Sequence, residues 1–360
     1  MRAYALLAEN FKGKDFGAVL PHLINRVVAA SIPNFETGSG YLFRKGDLLR
    51  LENTLEIQEK ILSLVNHAPP GYAFHLIELE KGEVGEDEAG LRLASLVAGP
   101  GLEIRPPVES RVNLIARQKG VLKIEVARLE QINEIAGVAV FTLYDGQAVV
   151  GGTEVCGAKV VPLVYPLSQL AQVQAITQHG PIVDVLPFKS MKVGIIVRER
   201  LQPKARARFA EAVAKKLAWF GVELLSIETV LDNPNALTAK LSYFKEQKAG
   251  LILHVGGHSS DPLDPMFATL EDLGITMEKH GAPAHPGTLF WLAYWGETAL
   301  LGLASCGMFS KTTLGDLFMA QLFAGVKPMR RDIARWGHGG LFTREMAFRF
   351  PPYGLESAED

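Results

Sequence analysis

Residues 250–265 read GLILHVGGHSSDPLDP. An apolar predicted strand is followed by two glycines, by a loop and by the start of a predicted helix. The same alternation of strand and helix continues through the C-terminal half of the chain. The predicted strands are KVGIIV, VELLSI, GLILHV and ALLGLA, and the predicted helices cover 203–220, 234–247, 265–273 and 312–323. Continuous apolar strands that alternate with amphipathic helices indicate a mainly parallel sheet covered on both faces. We therefore predict an α/β fold for roughly residues 190–340, with ligands bound beyond the carboxyl ends of its strands.

Composition narrows the class of protein. A chain of 360 residues is long enough for two or three domains. The net charge is -2, from 37 basic and 39 acidic residues, so the chain has no excess of positive charge that would indicate binding to nucleic acid or an anionic membrane. The two cysteines, Cys156 and Cys306, lie far apart and outside any CxxC pair, which disfavours a disulfide framework or a zinc ribbon. With neither a signal peptide nor an apolar run of about 20 residues, we expect a soluble, cytoplasmic protein.

The N-terminal half is predicted to hold smaller α+β domains. We predict helices over 17–30, 54–65, 127–135 and 167–177, and a further helix opened by the acidic residues 86–88. The segments GVLKIEV and VAVFTLYDGQAVV are rich in β-formers, and Asp145-Gly146 predicts a hairpin turn within the second.

Proline and glycine residues that interrupt the periodic sequence pattern mark the expected domain boundaries. HGPIVDVLPFKS, residues 179–190, separates the N-terminal half from the last domain. The predicted division is an N-terminal α+β region over 1–80, a middle α+β domain over 81–180, the α/β domain over 190–341 and a tail over 342–360.

The loop after GLILHV is the first candidate site. Gly256 and Gly257 can adopt positive φ and let a ligand approach the backbone, while Asp264 is suited to cap a helix with Pro265 at its first position. The carboxylates of Asp261 and Asp264 would repel a bare phosphate, so they call for Mg²⁺ or for a ligand rich in N–H donors, such as a pterin edge. The alternative is that Asp264 is only a helix cap and Asp261 only part of a turn.

Two further loops are candidates at the same edge of the sheet. In ASCGMFSKTT, residues 304–313, the hydroxyl groups and Lys311 could hold a phosphate, although hydroxyl-rich helix starts are also ordinary caps. GAPAHPG, residues 281–287, brings backbone to the same edge or serves as a plain connector. His254 lies within a predicted strand, which favours a core residue over a metal ligand.

Five segments spread over residues 40 to 341 resemble one known family. They are FRKGDLL (43–49), GEVGEDEAGLRLA (82–94), SRVNLIARQKGVLKIEVARLEQIN (110–133), GAPAHPGTLFWLAY (281–294) and GHGGL (337–341). Together with the glycine loop at 256–257, they are similar to the molybdopterin-binding proteins of the MoeA/MogA/CinA-like superfamily, and in particular to stand-alone relatives of MoeA. The resemblance implies a three-layer α/β/α, MogA-like domain preceded by smaller α+β domains.

The resemblance also implies a ligand and its contacts. The ligand would be molybdopterin or its adenylylated form, with Mg²⁺ and molybdate assisting. The resemblance places Gly256, Gly257, Ser259 and Asp264 on one substrate loop, and Ser305 with the turn that follows it on a second. The residues that we expect to bind the cofactor are Gly256, Gly257, Ser259, Ser260, Ser305, Gly307, Pro286, Gly287 and Arg198. Asp261 and Asp264, the two carboxylates of the first loop, are the expected catalytic residues and the expected ligands of Mg²⁺.

Three loops depart from the family pattern. Val255 replaces a threonine, Val197-Arg-Glu-Arg-Leu201 replaces a Thr-Gly-x-Glu loop, and Ala304-Ser305 replaces a Pro-Gly pair. Arg198 and Arg200 could instead contact phosphate or molybdate, with Glu199 pairing with them.

These departures leave three hypotheses for function. The first is a molybdopterin-binding protein of cofactor biosynthesis or delivery, and if it is an enzyme, one that resembles the molybdopterin molybdotransferases. The second is a non-catalytic scaffold or regulatory protein with a degenerate pterin site, and the third is a CinA-like pyrophosphate hydrolase. Expected partners are the pterin ligand, molybdoenzymes or other cofactor-biosynthesis proteins, and further copies of the chain in a homo-oligomer.

Overall fold

The computed structural model describes residues 2–108, 110–257, 259–261, 263–304 and 313–353. The chain divides into two compact units. The first comprises Met1–Ala116, Ile124–Leu143 and Glu154–Asp184, and the second comprises Arg117–Lys123, Tyr144–Thr153 and Val185–Asp360. The four-part division expected from the sequence stays a prediction.

The described part of the chain contains the following strands and α-helices. The strands are β1 (Arg2–Leu7), β2 (Arg26–Val28), β3 (Ile32–Pro33), β4 (Tyr41–Phe43), β5 (Ala73–Glu78), β6 (Glu83–Gly85), β7 (Leu102–Ile104), β8 (Arg111–Ala116), β9 (Gly120–Ile124), β10 (Val138–Thr142), β11 (Ala148–Val149), β12 (Glu154–Val160), β13 (Val164–Pro166), β14 (Val183–Pro187), β15 (Lys192–Val197), β16 (Glu223–Thr229), β17 (Leu251–Val255), β18 (Thr276–His280), β19 (Trp291–Trp295) and β20 (Thr298–Leu303). The helices are α1 (Phe16–Val19), α2 (Thr54–His67), α3 (Glu86–Val97), α4 (Val126–Asn133), α5 (Leu167–Thr177), α6 (Pro203–Phe220), α7 (Pro234–Glu246), α8 (Pro265–Asp272), α9 (Leu314–Phe323) and α10 (Arg330–Arg335). No helix in this described part combines the length and the apolar character that a membrane span requires.

The first unit is built on antiparallel strands. One sheet has the order β1-β5-β2 and another the order β10-β12-β8-β7. Helix α2 buries Ile57, Ile61 and Leu64, which share one helical face by their spacing of four and three residues. The acidic residues predicted to open a helix do occupy the first turn of α3, where they favour the positive end of the helix dipole.

Two predictions for the N-terminal half are wrong. The helix expected over 17–30 is limited to α1 and a short 3-10 turn, because Asn25 adopts a φ of 58° and Arg26–Val28 then pairs with β5. The hairpin expected at Asp145-Gly146 does not form, since β10 pairs with β12 and β11 with β9. Gly146 still turns the chain with a φ of 77°, and its amide donates to the carbonyl of Leu122. The chain therefore changes sheets at this turn instead of folding back on the same one.

The second unit is organised by a sheet of six strands in the order β16-β15-β17-β20-β19-β18. β16, β15, β17 and β20 run parallel, as predicted from their apolar runs. β19 and β18 were not predicted as strands, and both pair antiparallel at the far end of the sheet. Because His280 pairs with Trp291 and Trp291 with Gly302, the connection from β18 to β19 lies at the carboxyl edge of the parallel strands.

Helices cover both faces of this sheet. Leu251 and Leu253 of β17 belong to one buried cluster, to which α6 and α9 contribute, whereas Ile252 belongs to another with α7 and α8. Alternate residues of a strand point to opposite faces, so each face of the sheet has its own core. The predicted α/β class with helices on both faces is confirmed.

Close packing between neighbouring strands makes glycine necessary at position 302. A Cβ atom on Gly302 would overlap the indole of Trp291, a side chain that is fully buried. We predict that Gly302→Ala lowers the free energy of unfolding by about 1–3 kcal/mol, since overpacking forces neighbouring groups to shift. Urea unfolding followed by circular dichroism measures the change. Gly151→Ala is the matched control, because its Cβ would meet no atom closer than 3.5 Å; equal midpoints for the two variants would contradict the packing argument.

Candidate functional site

The carboxyl ends of β15, β17 and β20 lie side by side. The amide of Arg198 donates to the carbonyl of Val255 at 2.8 Å, and the amide of Gly256 donates to the carbonyl of Leu303 at 3.0 Å. The first residue after each of two strands is therefore tied to the neighbouring strand. The three loops that follow these strands start from one rigid edge.

The glycine turn after β17 is tight. Gly256 and Gly257 have φ values of 79° and 77°, which confirms the predicted positive φ. A Cβ on Gly257 would lie 3.1 Å from Oδ2 of Asp264 and 3.3 Å from Cε1 of His254. The turn is folded directly over these two side chains, so a Cβ would be tightly packed there, and the positive φ by itself favours glycine.

Asp264 is the N-cap of α8, the role that the sequence analysis gave as the alternative to a site carboxylate. Its Oδ1 accepts a hydrogen bond from the amide of Met266 at 2.8 Å, and Pro265 occupies the first helical position. The same oxygen accepts from Nη1 of Arg198 at 3.0 Å, and both side chains are almost completely buried. The carboxylate is thus both a cap and half of a buried ion pair.

Arg198 connects three loops through one guanidinium group. Besides Asp264, it donates from Nη2 to Oδ1 of Asp232 at 2.5 Å. The exposed fraction of the side chain is 0% for Arg198 and 70% for Asp232. Among the described residues, none accepts a hydrogen bond from Nε of Arg198. The loops after β15, β16 and β17 are therefore held together by a single buried positive charge.

The rest of the first candidate loop is tied to its own backbone. Oδ1 of Asp261 accepts from the amide of Leu263 at 2.9 Å, which is the arrangement of an Asx turn, and Asp261 is exposed. Ser259 is buried and its carbonyl lies 2.6 Å from Nε2 of His280, whereas Ser260 is exposed. Within the described ranges, no group of three or more His, Cys, Asp or Glu residues is placed to hold a metal ion.

His254 is a core histidine, as the sequence predicts. Its ring packs 5.3 Å from that of Trp291, and neither ring nitrogen has a hydrogen-bond partner in the described part of the chain. Burial, and to a smaller extent the positive charge of Arg198, lower the pKa of His254 to about 3. The imidazole is therefore neutral at physiological pH.

A cavity of about 280 Å³ lies beyond the end of β20. It is bounded by the β18–β19 connection on one side and by the start of α9 on the other. Its described lining residues are His285, Pro286, Gly287, Thr288, Leu289, Phe290, Leu303, Ala304, Thr313, Leu314 and Gly315. Two residues expected at the site, Pro286 and Gly287, therefore face the first turn of α9.

The start of α9 is fixed by a buried carboxylate. Asp316 accepts hydrogen bonds from the amide of Thr313 at 2.6 Å and from its hydroxyl at 3.0 Å. The first of these is one half of a capping box, in which the amide of Asp316 donates in turn to the side chain of Thr313. Lys216 lies 2.9 Å from the same carboxylate, and the hydroxyl of Tyr353 donates to it at 2.6 Å. Burial and the neighbouring Asp316 raise the pKa of Tyr353. The charge of Asp316 is neutralised by Lys216, so it does not oppose an anion in the cavity.

The GHGG segment near the end of the described chain supports the β18–β19 connection. The amide of His285 donates to the carbonyl of Gly340, and the amide of Phe342 donates to the carbonyl of His285, both at 2.8 Å. Gly287 has a φ of 130°, and a Cβ there would lie 2.8 Å from Cβ of Leu314. This connection is therefore held at both of its sides, by the 337–342 segment and by α9.

The structure brings only some of the expected residues together. Gly256, Gly257, Arg198 and Asp264 form one cluster, and Pro286 with Gly287 lines the cavity. Ser305 and Gly307 lie outside the described residues. Sequence reasoning missed three partners, namely Asp232, Lys216 and Asp316. Of these, Asp316 had a usable signal, since Thr-x-x-Asp before an apolar run is typical of a capping box.

Comparison with known proteins gives structural likeness alone. No protein-family model matches the chain, and no curated protein matches it. A solved structure of the molybdopterin biosynthesis MoeA protein from Pyrococcus horikosii is 16% identical, over 71% of this chain and 81% of that chain, with a TM-score of 0.30. The molybdopterin biosynthesis enzyme MoaB from Thermus thermophilus is 20% identical over 39% of this chain and 99% of that chain, with a TM-score of 0.29. The tungsten cofactor synthesizing protein MoaB from Pyrococcus furiosus is 14% identical over 32% and 81% of the two chains, with a TM-score of 0.24.

The buried imidazole predicts a specific dependence of stability on pH. Above pH 6.5, His254 is neutral in the folded and unfolded chains, so it contributes no pH dependence. As pH falls from 6.5 towards 3, the unfolded chain binds a proton that the folded chain does not, because the folded pKa is about 3. The wild type therefore loses about 1.4 kcal/mol per pH unit through this residue.

His254→Leu removes this proton linkage. We predict that the free energy of unfolding of the variant, relative to wild type, rises as pH falls from 6.5 to 4, as measured by urea unfolding at several pH values. His338→Leu serves as the control, since that side chain is exposed in the same unit. A difference between His254→Leu and wild type that stays constant with pH would refute the buried, neutral state.

Proposed function

We propose that the protein binds molybdopterin, or a phosphorylated pterin of the same kind, at the carboxyl edge of the sheet in its second unit. The observation that carries the proposal is the cavity of about 280 Å³ beyond β20. The β18–β19 connection that bounds it, 281–290, lies within a segment that resembles the molybdopterin-binding family. The start of α9 is the opposite wall, directly after the second loop predicted from the sequence.

The lining of the cavity suits a flat ring with an anionic group. Pro286, Leu289, Phe290, Leu303 and Leu314 give apolar walls against which a ring system can pack. The polar side chains among the described lining residues are His285, Thr288 and Thr313. Sites for small ligands place a few polar groups among apolar walls in this way.

An anionic end of the ligand has donors at the start of α9. Leu314 and Gly315 are the first two residues of the helix and both line the cavity. Amides in the first turn of a helix lack intrahelical acceptors, and the helix dipole favours negative charge there. Among the described lining residues there is no Asp or Glu, so no carboxylate opposes a phosphate.

The role that fits this geometry is binding and delivery of the cofactor. The carboxylates expected to act in catalysis are engaged in a helix cap and a turn, so the proposal assigns them no step in a reaction. Recipients in this role would be molybdoenzymes or other proteins of cofactor biosynthesis. The same proposal includes a homo-oligomer, and a ligand in its adenylylated form or together with molybdate. The binding test does not depend on these three points.

A charge placed in the cavity tests the proposal. Leu289 lines the cavity and is 49% exposed, so Leu289→Glu can add a carboxylate without opening the core. We predict that wild type binds molybdopterin in anaerobic calorimetry and that Leu289→Glu weakens binding by at least about tenfold, which corresponds to about 1.4 kcal/mol.

Leu263→Glu is the matched control for this experiment. Leu263 is 86% exposed on the loop before α8 and does not line the cavity, so the same charge change should leave the dissociation constant unchanged. Wild type that binds no form of molybdopterin, or a Leu289→Glu variant that binds as tightly as wild type, would overturn the proposed site.

A further inference from the structure

The carboxylates expected to hold Mg²⁺ are unsuited to that ion. Mg²⁺ requires six oxygen ligands in a near-ideal octahedron at about 2.0–2.1 Å. Oδ1 of Asp264 already accepts from Nη1 of Arg198 and from the amide of Met266, and Oδ1 of Asp261 accepts from the amide of Leu263. Asp261 is exposed while Asp264 is buried, and a guanidinium ion occupies the neighbourhood of the buried carboxylate. The donor set therefore does not fit the divalent ion that the family resemblance implies.

We propose that Arg198 is a resident cation that takes the place of a divalent metal ion at this edge of the sheet. Its guanidinium group lies between Asp264, on the loop after β17, and Asp232, on the loop after β16. A divalent cation is likewise held by carboxylate oxygens. Arg198 acts here as a positioning residue, because its side chain is fully buried and supports the glycine turn from beneath.

Arginine is the side chain that this geometry requires. Its planar fork presents separate nitrogens, and here Nη1 and Nη2 reach two different carboxylates at 3.0 and 2.5 Å. A lysine ammonium is a compact point charge and is not preorganised to bridge two such partners. The guanidinium is also part of the polypeptide, so a chelator cannot remove it.

The local charge is balanced by this arrangement. Arg198 and Asp264 are both buried and neutralise each other, while Asp232 is mostly exposed and screened by water. The guanidinium is the positive charge that faces the buried Asp264 next to the turn of Gly256 and Gly257, and its removal would leave that carboxylate without this charge. We therefore expect binding of an anionic ligand at this edge to be independent of divalent cations, a consequence that rests on the proposed function.

The first test needs no pterin and uses the full chain. Thermal unfolding is followed in EDTA, in 1 mM MgCl₂ or MnCl₂, and in 10 mM methylguanidinium chloride. We expect one midpoint for wild type in all four solutions. Arg198→Ala should have a lower midpoint, because Asp264 has lost its buried partner. Divalent ions and methylguanidinium should each raise this midpoint by about 3 °C or more, since the vacated space and the two carboxylates can accept a cation.

Matched variants separate the resident cation from a general loss of stability. Arg200→Ala removes an exposed arginine two residues away, and its midpoint should respond to neither cation. In Arg198→Ala combined with Asp264→Asn, the rescue should disappear. Rescue by neither cation in Arg198→Ala, or equal rescue in the double variant, would overturn the proposal.

A second measurement on wild type alone covers the case in which Arg198→Ala does not fold. Mn²⁺ is titrated with wild-type protein and with Asp264→Asn, and binding is followed by electron paramagnetic resonance. The two titrations should be the same, because wild type should bind no Mn²⁺ at a site that requires Asp264. Mn²⁺ binding that is lost in Asp264→Asn would overturn the proposal.

A binding experiment with molybdopterin separates a failure of this inference from a failure of the proposed function. Calorimetry with molybdopterin in EDTA and in MgCl₂ should give the same dissociation constant. Binding that requires Mg²⁺ would overturn the resident cation while leaving the proposed function intact. An absence of binding in both solutions would overturn the proposed function, and the cation experiments would still decide the role of Arg198.

Discussion

The buried ion pair between Arg198 and Asp264 is the interaction on which the carboxyl edge of the second unit depends. Removing two charges from water is costly, and a close, hydrogen-bonded geometry is needed to offset that cost. Here the cost is met by hydrogen bonds that also cap α8 and hold the loop after β16 through Asp232. One interaction thereby fixes the helix start, the glycine turn above it and two neighbouring loops.

The sheet determines which loops can take part in the site. Parallel strands β15, β17 and β20 end at the same edge, and the antiparallel β18 and β19 return the connection 281–290 to that edge. The 280 Å³ cavity results from this arrangement, because the returning connection faces the first turn of α9. Rigid strands thus carry the loops, and the loops provide the ligand surface.

Features of the structure could be predicted from the sequence where their signal is local, within one strand, helix or turn. The parallel strands and their helices could be predicted, since apolar runs and Pro-marked helix starts are local features. β18, with the sequence TMEKH, could not, because a half-exposed edge strand lacks a continuous apolar pattern. In the site, Asp264 was predictable as a cap from the Asp-Pro pair. Its pairing with Arg198 was not, since it joins residues 66 positions apart.

Hydrogen–deuterium exchange of the full chain, with and without molybdopterin, is the most direct measurement of where the ligand binds. If the pterin occupies the carboxyl edge of the second unit, its presence slows amide exchange in 281–290 and in 313–316, which bound the cavity. Exchange in β1 and β5 of the first unit should stay unchanged. Slowing confined to the first unit, or unchanged exchange in both cavity segments at saturating ligand, would contradict the account.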